Sequence, residues 1–492
     1  MAHFIAPYDS SLFTPVSLLN TDPLLLKIRE GRKITRGEQL RLTAGLALPA
    51  IVAQVAGVLL QYIDAAMVGQ LGANPSASIG LVSTTCWLFG GIGGAIGTGF
   101  SVQVAHRVGA NDMQGARDVL RHCFFIGGGM GLLLGLVGVL IAWPLPVWLG
   151  GGEEILRDAS VYFGIFAASI PILQISYSGM GSIRASGNIR FPSTMGVVMC
   201  LLDVVFNFLF IFPSRTCHFA GLSVPVWGAG LGVTGAALGT MTAETLTALV
   251  VWYYIIRRSP VFSTGEGPLL SFRRFKVSRG ILKRALAISS PIGLERVVTT
   301  SAQIVTTMIL APLGAASIAA HSFGITVEAL CYMPGYGIQE AATTLVGQSI
   351  GARRYELTKR FAWLCVGLGM AVMSVMGAVM WVGAPAMMAF ITPVQDIIAL
   401  GTSALRIEAW AEPMFAASIV CYGCMVGAGD TLKPASINFL SMWLVRISLA
   451  LLFVRVFGWG LNGVWLAMCI ELCVRGAVFL CRLRWGGWLK QR

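Results

Sequence analysis

The sequence predicts an all-α polytopic membrane protein of twelve transmembrane helices in two pseudo-symmetric six-helix lobes. Three observations carry that prediction: an apolar composition, cations concentrated in alternate loops, and an internal repeat. Of 492 residues, 56% are hydrophobic and 12% charged, against about 25% charged in an ordinary globular protein. Lipid must therefore be the solvent of most of the chain. The 59 glycines fit this, because small residues let transmembrane helices approach closely.

A span needs about 20 mainly apolar residues. Such stretches occupy residues 44–70, 78–106, 120–148, 160–183, 192–213, 229–256, 283–311, 316–349, 360–391, 400–427, 434–457 and 460–481. They divide the chain into an N-terminal extension (1–43), an N-lobe (44–256), a linker (257–282), a C-lobe (283–482) and a tail (483–492). The extension carries Lys27, Arg29, Arg32, Lys33, Arg36 and Arg41. It lacks the ordered charged start, short apolar stretch and small-residue cleavage site of a signal peptide.

The net charge of +13 does not imply nucleic acid, because the cations alternate with the spans. Even-to-odd connections hold Arg107, Arg117 and Arg121; Arg184 and Arg190; Arg257, Arg258, Arg273, Arg274, Lys276 and Arg279; Arg353, Arg354, Lys359 and Arg360; and Lys433. The opposite loops are nearly bare: 150–159 is led by Glu153 and Glu154, with Arg157 its one cation. By the positive-inside rule the extension, linker and tail are cytoplasmic. Cysteines scatter through apolar segments, and Cys421-x-x-Cys424 reads as buried small hydrophobes rather than a redox or metal pair.

The repeat is sharp. Leu71-Gly72-Ala73 matches Leu313-Gly314-Ala315 and Val108-Gly109-Ala110 resembles Ile350-Gly351-Ala352, both at an offset of 242. Gly181 with Gly423, Gly187 with Gly429 and Pro192 with Pro434 keep that register. Gly232 and Gly235 then align with Gly460 and Gly463 at 228, which a longer polar loop around Ser214–Val226 explains. Six helices repeat as six, so the lobes are related by an axis along the membrane normal and enclose a central cavity. The linker, broken by Gly265, Gly267 and Pro268, joins them.

No phosphate-binding Gly-x-x-x-x-Gly-Lys-Ser/Thr loop is present, and the glycines of Phe89–Gly94 lie in a span, so ATP is not the expected driver. That leaves ion gradients, and ionisable groups inside spans are where coupling ions bind. Asp64 lies in the first span. Asp203 and Asn207 in the fifth share a helical face, so a carboxylate and an amide carbonyl can converge on one cation or proton; an interhelical hydrogen-bond pair is the alternative. Glu295 in the seventh span has Arg296 beside it. Weaker candidates are Glu244, Glu328, Gln339, Glu340 and Glu412. Arg446 either pairs with one of these acids structurally or takes part in coupling. Glu471 and Arg475 read as a structural helical pair. Met195, Met199, Phe206, Phe208 and Trp443 either line an apolar cavity for greasy cations or pack the helices.

The segment Ile63-Asp64-Ala65-Ala66-Met67-Val68-Gly69-Gln70-Leu71-Gly72 resembles the first-helix signature of the multidrug and toxic compound extrusion family. Val108-Gly109-Ala110, Arg184-Ala185-Ser186-Gly187-Asn188 with Pro192, Ala320-His321 with Val346-Gly347-Gln348, and Gly427-Ala428-Gly429-Asp430 with Pro434 extend the resemblance over roughly residues 40–485. It implies two six-helix lobes in a V shape that export cationic or amphipathic compounds against inward H⁺ or Na⁺. Asp64 matches the family's helix-one acid, and Asp203 with Asn207 resembles its helix-five pair, though several relatives reverse their order. Glu295 matches the helix-seven glutamate of one branch. That branch's helix-ten aspartate would fall near Phe415, where this chain has none; Glu412, one turn earlier, is the substitute on a similar face.

The expectation is thus a secondary antiporter in which Asp64 and Asp203 share a proton, or hold Na⁺ with Asn207, since two close acids cannot both ionise cheaply. No other cofactor is expected. The substrate would be a small organic cation, and the protein a monomer in a bacterial inner membrane with both termini cytoplasmic. A lipid or lipid-linked oligosaccharide flippase is the alternative, favoured by a cationic cavity. An enzyme would need clustered His, Ser or Cys, and His3, His106, His122, His218 and His321 are dispersed. A channel is disfavoured by the repeat around midplane acids.

Overall fold

A computed structural model of the chain describes residues 22–219, 222–263, 269–270 and 275–489. Most of the expected extension (1–21), the linker positions Gly265, Gly267, Pro268, Arg273 and Arg274, and the tail's last residues 490–492 lie outside the described residues.

A short helix, α1 (Pro23–Arg29), is capped by Asp22, whose carboxylate accepts from the Leu24 amide. A reciprocal cap between Thr35 and Glu38 then starts α2 (Arg36–Gly69) eight residues before the expected boundary. The N-lobe continues with α3 (Ala73–Gly109), α4 (Met113–Ile141), α5 (Glu153–Ala185), α6 (Arg190–Ile211) and α7 (Gly232–Arg257). The C-lobe comprises α8 (Arg279–Leu310), α9 (Ala315–Gly351), α10 (Tyr355–Ile391), α11 (Gln395–Glu408), α12 (Glu412–Gly427), α13 (Leu432–Val456) and α14 (Gly460–Trp485). The pair α11 and α12 is one span bent by 60°.

Counted so, the described residues hold twelve long helical stretches, but only eight, or nine with the bent pair, are apolar enough to cross a membrane on composition alone. The other three are α7, α8 and α9. Their interiors carry Glu244 and several threonines, Glu295 and Arg296, and Glu328, Gln339, Glu340 and Gln348. Such residues belong on helices facing protein rather than lipid. One further departure from the all-α expectation is an antiparallel hairpin, β1 (Pro213–Phe219) with β2 (Leu222–Ala229), where the sequence predicted a polar loop.

The internal repeat is written into the backbone. Gly72 (φ 116°) and Gly314 (φ 93°), Asn111 and Arg353, and Gly187 and Gly429 all take positive φ at an offset of 242. Gly230 with Gly458 and Gly232 with Gly460 do so at 228. Across the lobes α2 packs on α9 and α3 on α8, so the first and second helices of each half trade partners with the other.

Polar contacts between the lobes gather at the cation-rich end. Arg29 on α1 donates to the Ser186 carbonyl at 2.8 Å, and Gln348 donates to the Ala185 carbonyl at 2.8 Å. His106 receives Arg284 at Nδ1 (2.6 Å) and donates through Nε2 to the Gly427 carbonyl at 2.8 Å. Arg184 pairs with Glu340. Gly109 and Gly351 let the ends of α3 and α9 touch backbone to backbone. Leu25 and Ile28 of α1 are fully buried in the same core as Ile189 and Leu345, so α1 is wedged between the lobes.

Gly72 and Gly314 precede α3 and α9 with ψ −175° and 167°, a region that essentially only glycine occupies. Gly72→Ala and Gly314→Ala should each destabilise the protein by about 1–3 kcal/mol. Thermal unfolding of the detergent-purified variants checks this, and an unchanged midpoint for both contradicts it.

Candidate functional site: a two-acid cluster in the N-lobe

Asp64 comes from α2, Asp203 and Asn207 from successive turns of α6, and Thr240 and Glu244 from successive turns of α7. The Asn207 amide nitrogen donates to Asp64 Oδ1 at 3.0 Å and to Asp203 Oδ2 at 3.0 Å. Thr240 Oγ1 stands 3.5 Å from the same nitrogen. Gly239 lies so tightly against Asn207 that no Cβ would fit, which is why α6 and α7 can bring these side chains together. Asp203 and Asn207 are buried and Asp64 half-buried.

The sequence suggested an amide carbonyl beside the carboxylate; the structure instead turns the amide nitrogen to both acids. The reason is electrostatic: two carboxylates offer only acceptors, and an NH₂ supplies one donor to each. That amide bridges the acids without neutralising either. Asp203 Oδ1 and Asn207 Oδ1 are buried with no hydrogen-bond partner. A bound proton or monovalent cation would supply both the missing charge and the missing partner. Buried Glu244, one turn from Thr240, adds a third carboxyl within electrostatic reach of Asp203. No three His, Cys, Asp or Glu side chains among the described residues are placed to hold a metal ion together.

The remaining predicted residues divide. Glu295 on α8 accepts from Tyr422 Oη at 2.5 Å and Asn438 Nδ2 at 2.5 Å. It thus has two neutral donors that sequence reasoning missed, since both read as ordinary span residues. Arg296 packs its aliphatic stem on Gly91 of α3. Glu340 is engaged by Arg184 and by Gln54 at 3.2 Å, a bridge between lobes. Gln339 packs against Gly423. Arg446 pairs with Glu471 at 2.6 Å, and Arg475 joins from the other side at 3.3 Å. Glu328 and Glu412 are buried nearby, together with Glu408, which sequence reasoning passed over. Of the aromatic candidates, Phe206 meets Phe210, Trp443 meets Phe439, and Phe208 carries the Arg215 guanidinium 4.3 Å from its ring centre. Met195 packs on the N-lobe core and Met199 is half-buried. Cys421 and Cys424 are buried free thiols in the core.

Long helices in two repeated lobes, with uncompensated carboxyls facing the interior, define a membrane-embedded transporter. The chain belongs to the MatE family, whose model matches residues 49–209 and 291–452, once in each lobe. Among curated proteins it is 25% identical over 456 residues to "Probable multidrug resistance protein NorM" of Thermotoga maritima, covering 91% of this chain and 92% of that one. It is 26% identical over 446 residues to the protein of the same name from Pseudomonas aeruginosa, covering 87% and 85%. A multidrug resistance MATE family transporter solved in an outward-facing conformation superposes with a TM-score of 0.84 at 22% identity, covering 96% of this chain and all of that one. A MOP superfamily transporter from Pyrococcus furiosus, described as having a binding pocket of reverse polarity, superposes at 0.85 with 21% identity over 96% of this chain.

Removing the Glu471 carboxylate would leave Arg446 and Arg475 buried without their partner. Glu471→Gln should therefore cost about 3–5 kcal/mol of stability. Unfolding of the purified variant measures it, and a loss below 1 kcal/mol would show that other carboxyls nearby take over the pairing.

Proposed function

We propose that this chain is a secondary active antiporter that exports small organic cations or amphipathic compounds in exchange for H⁺ or Na⁺ by alternating access. The observation that carries this reading is the Asp64–Asn207–Asp203 cluster. Two acids from different helices share one neutral donor in a poorly hydrated lobe, so their charge state responds to a bound proton or cation. Occupancy that favours one arrangement of the helices over another shifts the populations of inward-open and outward-open states. The names of the relatives, with their multidrug resistance, point to the same substrates. With the cation-rich loops cytoplasmic, as the positive-inside rule directs, both termini lie in the cytoplasm of a bacterial cell and the chain sits in the inner membrane as a monomer. The contacts at that end then close the cytoplasmic side. The linker 257–282 joins an N-lobe of 44–256 to a C-lobe of 283–482. The acidic lining suits cationic cargo and weighs against a lipid or oligosaccharide flippase.

Proteoliposomes given a pH gradient or a Na⁺ gradient separately, with a fluorescent organic cation as cargo, should show exchange under at least one of them. No exchange under either would favour the flippase. Asp64→Asn should abolish gradient-driven efflux while the protein still folds and reaches the membrane; full efflux by that variant would refute the scheme.

A further inference from the structure

The bend between α11 and α12 separates Glu412, which the sequence offered only as a substitute for a helix-ten acid, from Glu408, which the transport reading leaves unused. Glu408 ends α11 and Glu412 begins α12, with the Ala411 amide bonded back to the Glu408 carbonyl at 2.8 Å. Glu408 is 0% exposed and Glu412 1%. All four of their carboxyl oxygens are buried with no hydrogen-bond partner. Starting from the far end of α11, Glu408 lies about 20 Å deep at 1.5 Å per residue, near the middle of the bilayer.

The groups facing them come from each helix packed on the bend. On α9 these are Glu328, with Cys331 and Tyr332 beside it, and on α13 Arg446, which also faces His321. On α14 they are Glu471, with Arg475 paired to it, and Cys469. α10 has no charged residue from Trp363 to Ile391. Glu328, Glu408, Glu412 and Glu471 thus oppose only Arg446 and Arg475, and Glu471 already binds both guanidiniums. Fully ionised, the cluster would carry two uncompensated negative charges. Glu408 fares worse than Glu412, because it sits at the negative end of a helix dipole while Glu412 sits at a positive end. No three acids here are placed to ring a metal ion, and Arg446 lies in a π-helical turn, an irregularity often kept at functional sites.

We propose that Glu408 and Glu412 form a second proton-binding site at the bend of the tenth span, separate from the Asp64–Asp203 cluster and from Glu295. Each carboxyl holds a proton when the bend is sealed as here and releases it when water reaches the bend. The proposal rests on the transport reading only for the moment at which the protons leave; the site itself is a property of the C-lobe.

The full chain in lipid nanodiscs, followed by infrared spectroscopy across a pH titration, tests it through the carbonyl stretch of protonated carboxyls. Glu408→Gln and Glu412→Gln should each delete one such component at neutral pH, and Asp203→Asn should leave both in place. Spectra of Glu408→Gln and Glu412→Gln that match the unaltered protein at every pH would overturn the proposal. If Glu408→Gln does not fold, Glu412→Gln decides alone: its component lost supports the site, its component retained removes it. Unaltered protein that shows both components yet exchanges no cargo in proteoliposomes keeps the site and discards the transport reading.

Discussion

A charge placed among lipid-embedded helices must find a counter-charge, a hydrogen-bond donor or a proton, because hydrocarbon offers none. The ionisable residues of this chain form a graded series of answers. Glu340 with Arg184, Asp430 with Arg482, and Glu471 between Arg446 and Arg475 have full counter-charges. Glu295 has two neutral donors but no cation bonded to it. Asp64 and Asp203 share a single amide, and Glu408 and Glu412 have nothing. Stability is served at the compensated end of that series. At the other end carboxyl oxygens of Asp203, Glu408 and Glu412 are buried with no hydrogen-bond partner, which costs stability rather than adding to it.

The two lobes duplicate a scaffold without duplicating its chemistry. Positive-φ turns recur at fixed offsets because each half must reverse direction at the same points. The acids do not recur: 242 residues beyond Asp64, Asp203 and Asn207 stand Thr306, Val445 and Leu449, and the counterpart of Glu295 is Ala53. A repeated frame therefore presents one acid pair near the uncharged end in the N-lobe and a deeper group of carboxyls in the C-lobe.

The repeat, the helical class and the Asp64–Asp203–Asn207 convergence were legible because each leaves a local mark: glycine at a turn, a run of apolar residues, an acid where acids are costly. Several features were not. Tyr422 and Asn438 look like span-filling residues until the fold sets them against Glu295. Glu408 drew no notice inside a span expected over 400–427, where Pro413 at the start of α12 is the one local mark of the 60° bend. The hairpin after α6 is built from residues that period-two patterning marks only weakly. The early start of α2 depends on a side-chain cap, Thr35 with Glu38, that lies in a basic stretch read as extension.

The contacts at the cation-rich end differ in kind from the buried pairs inside the C-lobe. Alongside the side-chain pairs of Glu340 with Arg184 and Gln54, of His106 with Arg284 and of Arg29 with Gln348, they include bonds from a side chain to a backbone carbonyl: Arg29 to Ser186, Gln348 to Ala185 and His106 to Gly427. Each such bond contributes about 0.5–3 kcal/mol net, because water satisfies both partners when it enters. A buried ion pair of the Glu471 kind would instead strand a charge on opening. The face between the lobes is thus held mainly by interactions that water replaces at low cost, while the buried Glu471 pairs lie within one lobe. The wedge of α1 follows the same logic. Leu25 and Ile28 seal the seam by apolar burial, and Arg29 adds one hydrogen bond to the N-lobe beside Gln348 of the C-lobe. A seam closed by many weak and separately reversible contacts costs less to open than one closed by buried salt bridges.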